Sequence, residues 1–211
     1  MSESGDKKDR KNADAIRTFI CIDIPEPIKG RIEELQNSLR ITGAQVSWVK
    51  TINIHLTLKF LGDVRLSRVE SLIRAAERAA ASVSPFEIEA GCAGCFPSPR
   101  NPRVLWVGLT NLPEELKRLQ TGLESELARD GFPREQKNFS PHLTIGRIRS
   151  PQNASRVAED LIARGFAAES FQAREIIVMR SDLMPSGAVY TPQAVIRLGV
   201  PDLAAEGTGN F

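Results

Sequence analysis

The chain contains two histidines, and each begins the same four-residue pattern of His, Leu, Thr and an aliphatic residue. The two copies are His55-Leu56-Thr57-Leu58 and His142-Leu143-Thr144-Ile145. At ordinary composition such a match is roughly a one-in-a-thousand event per histidine, so two matches indicate an internal repeat. A repeat of this size predicts two similar lobes related by an approximate two-fold axis, with equivalent residues facing one another across a central cleft.

The predicted secondary structure repeats in the same way: each half reads strand, helix, strand, helix, strand. In the first half we predict strands at Arg17–Ile24, Ile52–Leu61 and Phe86–Ala90, and helices at 26–40 and 67–82, the second starting with a capping box at Ser67–Glu70. In the second half we predict strands at Arg103–Leu109, His142–Ile148 and Phe171–Ser181, helices opening at Pro113 and at Ser150, and a final hairpin strand at Val189–Leu198.

Length and composition limit the class of protein. With 211 residues, 41% hydrophobic and 26% charged, the chain is typical of a soluble globular protein. No apolar run approaches the roughly 20 residues that span a bilayer, and the polar N-terminus lacks a signal segment, so we predict a cytoplasmic location. We expect a single domain over 16–201, with lobes of about 16–95 and 96–201 that can exchange strands, and loose tails at 1–15 and 202–211. The net charge of +2 suits contact with a short stretch or an end of a nucleic acid.

The three cysteines do not form a disulfide framework or a clear metal site. The pair Cys92 and Cys95 is a single CxxC without a second pair, which is a weak zinc signal. We interpret it as a turn, within an ordered loop over 91–102 near the cleft.

Strand alternation places His55, Thr57 and Lys59 on one face, and His142 and Thr144 likewise, with the aliphatic residues on the other face. Phe60 and Arg147 fall on the aliphatic side by the same count. Two such strands brought together present two imidazoles and two hydroxyls, which suits in-line displacement at phosphorus. One histidine acts as base and the other as acid, while the threonines stabilise the phosphate oxygens without a metal. The alternatives are half-buried structural histidines, or a metal site recruiting Asp63 and Asp182.

The chain resembles the 2H phosphoesterase superfamily, and within it the RNA 2',3'-cyclic phosphodiesterases, historically called 2'-5' RNA ligases. The matching segments are residues 17–25, 48–50, 53–62, 96–97, 140–147 and 181–190. The resemblance implies an α+β bilobal fold with two mostly antiparallel sheets lining a central cleft and helices outside. It also implies hydrolysis of RNA terminal 2',3'-cyclic phosphate to a 2'-phosphate without metal or cofactor, and reverse 2'-5' ligation. His55 would then be the proton donor and His142 the proton acceptor.

Alternatives to this activity remain open from the sequence. They are a different substrate, such as ADP-ribose cyclic phosphate or a 2'-5' oligonucleotide, and a non-catalytic module that binds RNA ends. The expected partner is an RNA 3' end, with no membrane, and the protein is expected to be a monomer.

Further residues are candidates for substrate binding. Arg147 can neutralise phosphate charge, Tyr190 can contact phosphate or base, Phe19 can stack on a nucleobase, and Lys59 can meet the RNA backbone. Arg100 and Arg103 are possible phosphate contacts, and Trp48 and Trp106 are predicted to be packing residues.

Overall fold

The computed structural model describes residues 14–185 and 187–199. Its strands are β1 Ala15–Asp23, β2 Val46–Trp48, β3 His55–Arg65, β4 Phe86–Phe96, β5 Val104–Leu109, β6 His142–Ile148, β7 Glu169–Ala173, β8 Glu175–Met184 and β9 Gly187–Arg197. Its α-helices are α1 Glu26–Leu39, α2 Leu66–Ala81, α3 Glu114–Arg129 and α4 Ala154–Arg164. The tails predicted at 1–15 and 202–211 lie outside the described residues, except that β1 already begins at Ala15, where it pairs with Arg65 at the end of β3.

The described strands form one antiparallel sheet in the order β7-β4-β5-β6-β3-β1-β8-β9, with β2 paired to β6. The predicted two sheets are therefore two halves of one sheet. They meet between β3 and β6, where the only register pair is Leu56 with Leu143. The α+β architecture with its helices outside agrees with the prediction. The two halves of the sheet join only where β3 crosses β6.

Each half of the sheet takes strands from both sequence repeats. One half is β9-β8-β1-β3 and the other is β6-β5-β4-β7. Strand β4 thus joins the second half, while β8 and β9 join the first, so the strand exchange allowed by the prediction occurs and lobes of 16–95 and 96–201 do not describe the sheet. Helix α2 packs on β3, β9 and α3, whereas α4 packs on β4 and against α1.

Several predicted element boundaries were wrong. Residues Ile52 and Asn53 lie in a short 3₁₀ turn, so β3 begins at His55. Helix α2 begins directly after β3, with Arg65 as its N-cap and no side-chain cap. The predicted capping box at Ser67 does not form; the backbone amide of Leu66 instead donates to the Asp14 carbonyl at 2.8 Å. An orphan amide at a helix start can be satisfied by any nearby acceptor. Helix α4 starts at Ala154, four residues after the predicted start.

The CxxC is not in a turn. It lies in β4, which continues to Phe96 because it pairs with β5 along its whole second half. Cys92 is exposed and Cys95 is buried, as expected for residues at odd spacing in a strand. The two thiols therefore do not converge on one ion, and the loop near the cleft is shorter than predicted.

The core lies between the sheet and the helices. It combines the apolar stripes of the four helices with the alternate strand residues that face them, including Ile32, Leu72, Leu119, Leu123 and Leu161. The opposite face of the sheet, at the β3–β6 crossing, carries the polar residues of the repeated pattern. None of the helices in the described part of the chain is long and apolar enough to cross a membrane.

Candidate active site

The β3–β6 crossing brings the two histidine patterns together. Leu56 and Leu143 are opposite one another and are 0% and 1% exposed. Their neighbours on either side therefore point to the other face, where half-buried imidazoles and hydroxyls lie. On one face of an antiparallel pair, diagonal neighbours are about 7–8 Å apart. His55 and His142 are diagonal neighbours in this register, so both imidazoles lie on the same face of the crossing.

His55 is held in one orientation by three contacts. Its Nδ1 lies 2.9 Å from the Asn53 carbonyl oxygen, and because a carbonyl only accepts, Nδ1 carries the proton. Phe19 stacks on the imidazole at 4.6 Å with an interplanar angle of 21°, and Tyr190 meets it edge-on at 5.3 Å. Burial lowers the pKa of His55 to about 4, against smaller raising effects of the Asn53 hydrogen bond and the Asp23 charge. The ring is therefore neutral at pH 7 with its Nε2 lone pair available.

His142 repeats this arrangement in the second pattern. Its Nδ1 donates to the carbonyl oxygen of Ser140 at 2.7 Å, again two residues before the histidine. Phe96 contacts the ring edge-on at 5.1 Å. Burial lowers the pKa of His142, the Ser140 hydrogen bond raises it and the Arg147 charge lowers it. Both histidines thus adopt the same tautomer, and a hydrogen bond to the carbonyl two residues earlier orients each ring.

The two threonines are available to a ligand. Thr57 and Thr144 are half-buried, and neither hydroxyl has a hydrogen-bond partner within the described chain. A buried or half-buried hydroxyl usually has such a partner. These two are therefore free to donate to oxygens of an anion bound between the imidazoles.

A matched irregularity in both strands changes which residues reach the cleft. The register skips Leu58 in β3 and Ile145 in β6, each three residues after its histidine. A β-bulge reverses the alternation beyond it. Phe60 and Arg147, each five residues after the histidine, therefore turn to the cleft face. The strand count that pointed both away from the histidines was wrong, because it assumed an unbroken period of two.

The same bulge removes Lys59 from the site. Lys59 is 2% exposed, and its ammonium group donates to Glu124 at 2.6 Å and to the Pro133 carbonyl at 3.0 Å. The prediction that Lys59 shares the His55 face and meets an RNA backbone was wrong. The side chain instead lies on the helix side of the sheet, where it joins β3 to α3 through a buried ion pair.

A cleft of about 750 Å³ lies beside His55, because Phe19, Asn53 and Tyr190, which contact that ring or hold it by a hydrogen bond, line the cleft. Its cationic lining residues are Arg17, Lys50, Arg147 and Arg149. Tyr190 lines it beside His55. Burial raises the pKa of Tyr190, and the charge of Arg147 acts against that rise. Since Arg147 also lowers the pKa of His142, its guanidinium acts on groups from both halves of the sheet.

The remaining aromatic candidates either pack against the site residues or line the cleft. Phe19 borders the cleft but is only 2% exposed, because His55, Phe60 and Tyr190 pack against its ring, so the structure does not support the prediction that a nucleobase stacks on it. Trp48 lines the cleft as well as packing, with Arg40 over its ring at 5.4 Å. Trp106 packs against Phe96 at 5.2 Å, as expected of a packing residue.

Sequence reasoning missed Arg17, Arg149 and Phe60. The repeat itself contained a signal for Phe60, because it occupies the position in the first pattern that Arg147 occupies in the second. The described residues contain no group of three or more His, Cys, Asp or Glu side chains placed to hold a metal ion.

Comparison with known proteins agrees with this arrangement. A family model described as LigT like phosphoesterase matches the chain twice in succession, over residues 22–106 and 107–190. The RNA 2',3'-cyclic phosphodiesterase of Methanothermobacter thermautotrophicus is 38% identical over 188 residues, covering 87% of this chain and 99% of the relative. The enzyme of the same name from Archaeoglobus fulgidus is 34% identical, covering 83% and 96%.

The fold is shared with solved structures. The crystal structure of E. coli LigT complexed with 3'-AMP has a TM-score of 0.73 and 27% identity, covering 87% of this chain and 98% of that one. The double match of the family model and the extent of these relatives lead to one conclusion: the chain belongs to the LigT-like phosphoesterase family, within the 2H phosphoesterase superfamily.

Proposed function

We propose that this protein hydrolyses the 2',3'-cyclic phosphate at the end of an RNA chain, leaving a 2'-phosphate and a 3'-hydroxyl, with His55 as acid and His142 as base. The observation that carries the proposal is the matched pair of imidazoles at one strand crossing, each with Nδ1 engaged by a backbone carbonyl. Each Nε2 is thereby left for proton transfer. The names of the relatives support the substrate class.

The proton transfers balance across the two rings. Nε2 of neutral His142 takes a proton from water as its oxygen attacks phosphorus, and the bond from phosphorus to the 3'-oxygen breaks. Protonated His55 gives its proton to that leaving oxygen. The histidines end in exchanged protonation states, and solvent restores them. Joining a 5'-hydroxyl to the cyclic phosphate uses the same transfers with the 5'-hydroxyl in place of water: His142 takes its proton and His55 protonates the leaving 3'-oxygen.

The charges near each ring favour this assignment of roles. Burial is the main effect on both pKa values. Among the nearby charges, Asp23 raises the pKa of His55 by more than Lys29 lowers it, whereas Arg147 lowers the pKa of His142. A negative neighbour favours the protonated acid and a positive one favours the neutral base. The bound phosphodiester anion adds to the first effect, so His55 gains its proton as substrate binds.

The other groups stabilise the transition state. The hydroxyls of Thr57 and Thr144 donate to the non-bridging oxygens as negative charge develops, and Arg147 neutralises that charge. The proposal gives no step to a metal. All these groups belong to one chain, so we also expect a monomer to be active.

The test is incubation of the protein with adenosine 2',3'-cyclic phosphate in EDTA, followed by phosphorus NMR of the product. We expect a 2'-phosphate, at a rate that EDTA does not change. His55→Ala and His142→Ala should each lower kcat by about 10²- to 10⁴-fold, whereas the exposed Arg118→Ala on α3 serves as a control. Full activity of either histidine variant refutes the mechanism, and a 3'-phosphate product refutes the assignment of the leaving oxygen.

Two further substrates test the substrate class. ADP-ribose cyclic phosphate and a 2'-5' oligonucleotide are compared with a cyclic-ended RNA by kcat/KM. A higher kcat/KM for either of them would show that the same reaction acts on a different physiological substrate. Tight binding of cyclic-ended RNA without any product would show that the protein is a binding module.

A further inference from the structure

A second pocket, which we call the arginine pocket, adjoins the cleft. It is formed by residues 100–103, 148–151 and 154–155, and it has a volume of about 440 Å³. Arg149 lines both the cleft and this pocket. The two cavities therefore meet at Arg149, and the arginine pocket lies along the loop before β5 and the start of α4.

The pocket carries positive charge that no carboxylate within residues 14–185 and 187–199 neutralises. Arg100, Arg103 and Arg149 are exposed. Across residues 14–185 and 187–199, none of them forms an ion pair with a carboxylate. Some arginines elsewhere in the described chain form such pairs and others do not, so the distinctive feature of the pocket is that three unpaired guanidinium groups line one cavity. With a net charge of only +2 on the whole chain, this concentration of unpaired cations at the mouth of the cleft favours an anionic ligand.

The backbone that bears these arginines is held in place. The amide of Arg103 donates to the Phe96 carbonyl at 2.7 Å, and the Arg103 carbonyl accepts from the Ile148 amide at 2.9 Å. The Ser155 hydroxyl of α4 donates to the Arg100 carbonyl at 3.2 Å. Because β5, β6 and α4 all hold the loop, the backbone positions from which Arg100 and Arg103 extend are fixed relative to the pocket.

The arginines form a series rather than a single cluster. Arg147 and Arg149 are two residues apart on one extended segment, which spaces them by about 7 Å. That separation resembles the distance between neighbouring phosphates in an extended nucleic-acid strand. Arg103 lies beside Ile148, the residue between them, and Arg100 lies further along the loop. A chain of phosphates matches this series better than one isolated anion does.

We propose that the arginine pocket binds the phosphates of the RNA chain that leads to the cyclic end, so that the enzyme favours RNA chains over mononucleotides. This inference rests on the proposed function, because it takes the cyclic end to be bound at His55 and His142. Arg147 then contacts the reacting phosphate, Arg149 the adjoining one, and Arg103 and Arg100 those further along the chain. The contacts are to the backbone, so the pocket adds affinity without base preference.

The test compares two ligands and two double variants. Binding of a short 3'-phosphorylated RNA oligonucleotide is measured by fluorescence anisotropy at several salt concentrations for the wild type and for Arg100→Gln/Arg103→Gln. On a single strand each neutralised phosphate contributes about 0.7 to the slope of log K against log salt. Loss of two contacts should therefore reduce the slope by about 1.4 and weaken binding at 0.1 M salt by about 25-fold.

The control variant, Arg118→Ala/Arg174→Ala, removes the same charge from exposed positions that line neither cavity. It should leave the slope nearly unchanged. The hydrolysis of adenosine 2',3'-cyclic phosphate should be the same in all three proteins, and equal melting temperatures would show that folding is not the cause.

The two proposals fail in different ways. If the pocket variant binds the RNA with the affinity and salt slope of the control variant, the inference about the pocket is wrong, whatever the activity. If the wild type hydrolyses neither the cyclic mononucleotide nor an RNA that ends in a 2',3'-cyclic phosphate, the proposed function is wrong, and the binding measurement still decides whether the pocket receives RNA phosphates.

Discussion

The burial of His55 predicts a large and measurable shift in its titration. The ring is covered by Phe19 and Tyr190, and its pKa is lowered from 6.5 to about 4, mainly by burial. The chain has only two histidines, so ring NMR signals can be assigned with His55→Gln and His142→Gln. We expect a midpoint near 4 for His55 and one below 6.5 for His142, with both moving upward when a nucleoside 3'-phosphate is bound.

The same shift makes the stability of the protein depend on pH. Between pH 6.5 and 4 the unfolded chain binds a proton at His55 that the folded chain excludes, so the free energy of unfolding falls as the pH is lowered. The contribution of His55 is fully present above pH 6.5. Taking the two pKa values as 6.5 and about 4, the loss between pH 7 and pH 5 is about 2 kcal/mol.

Urea unfolding of the wild type and of His55→Gln at pH 7 and pH 5 measures this contribution. We expect the wild type to lose about 2 kcal/mol more than the variant on acidification, because His142 is common to both proteins and only the wild type has His55. Phe19→Ala should bring the His55 midpoint closer to 6.5 by admitting water to the ring face. Equal losses in wild type and His55→Gln, or a His55 midpoint near 6.5 in the unliganded protein, would refute the reasoning from burial.

Three further predictions follow from the contacts in and around the cleft. Lys59→Met should lower the free energy of unfolding by about 3–5 kcal/mol, because the substitution leaves Glu124 charged and unpaired. Urea unfolding measures this loss, which should be smaller when Lys59→Met is made in the Glu124→Leu variant. Thr57→Val and Thr144→Val should each lower kcat by about 10²-fold with little effect on the melting temperature; unchanged kcat in both would remove the hydroxyls from the mechanism. Arg147→Gln should lower kcat/KM by about 10²-fold and raise the NMR midpoint of His142, since the Arg147 charge lowers that pKa; a midpoint that does not move would contradict the placement of the guanidinium.

The repeated pattern allowed much of the fold to be predicted. The strands that carry His55 and His142, the four helices and the final hairpin all lie close to their predicted positions, because period-two and helical periodicities are local properties of a sequence. Most errors are at element ends, but the predicted strand Phe171–Ser181 was wrong as a unit, because its first residues belong to β7, which pairs with β4, and the rest belong to β8. The start of α2 is an example of an error at an element end, since its first amide is satisfied by Asp14, a residue distant in sequence.

The same distinction between local pattern and tertiary contacts applies to the candidate site. The sequence by itself determined that two imidazoles and two hydroxyls would lie on equivalent strands, because identical local patterns adopt identical local structure. Only the tertiary structure decided which of their neighbours accompany them. The bulges at Leu58 and Ile145 depend on hydrogen-bonding partners in other strands, and they bring Phe60 and Arg147 into the cleft while burying Lys59 against Glu124. Strand register is a property of pairs of strands, so no count along one strand could have revealed it.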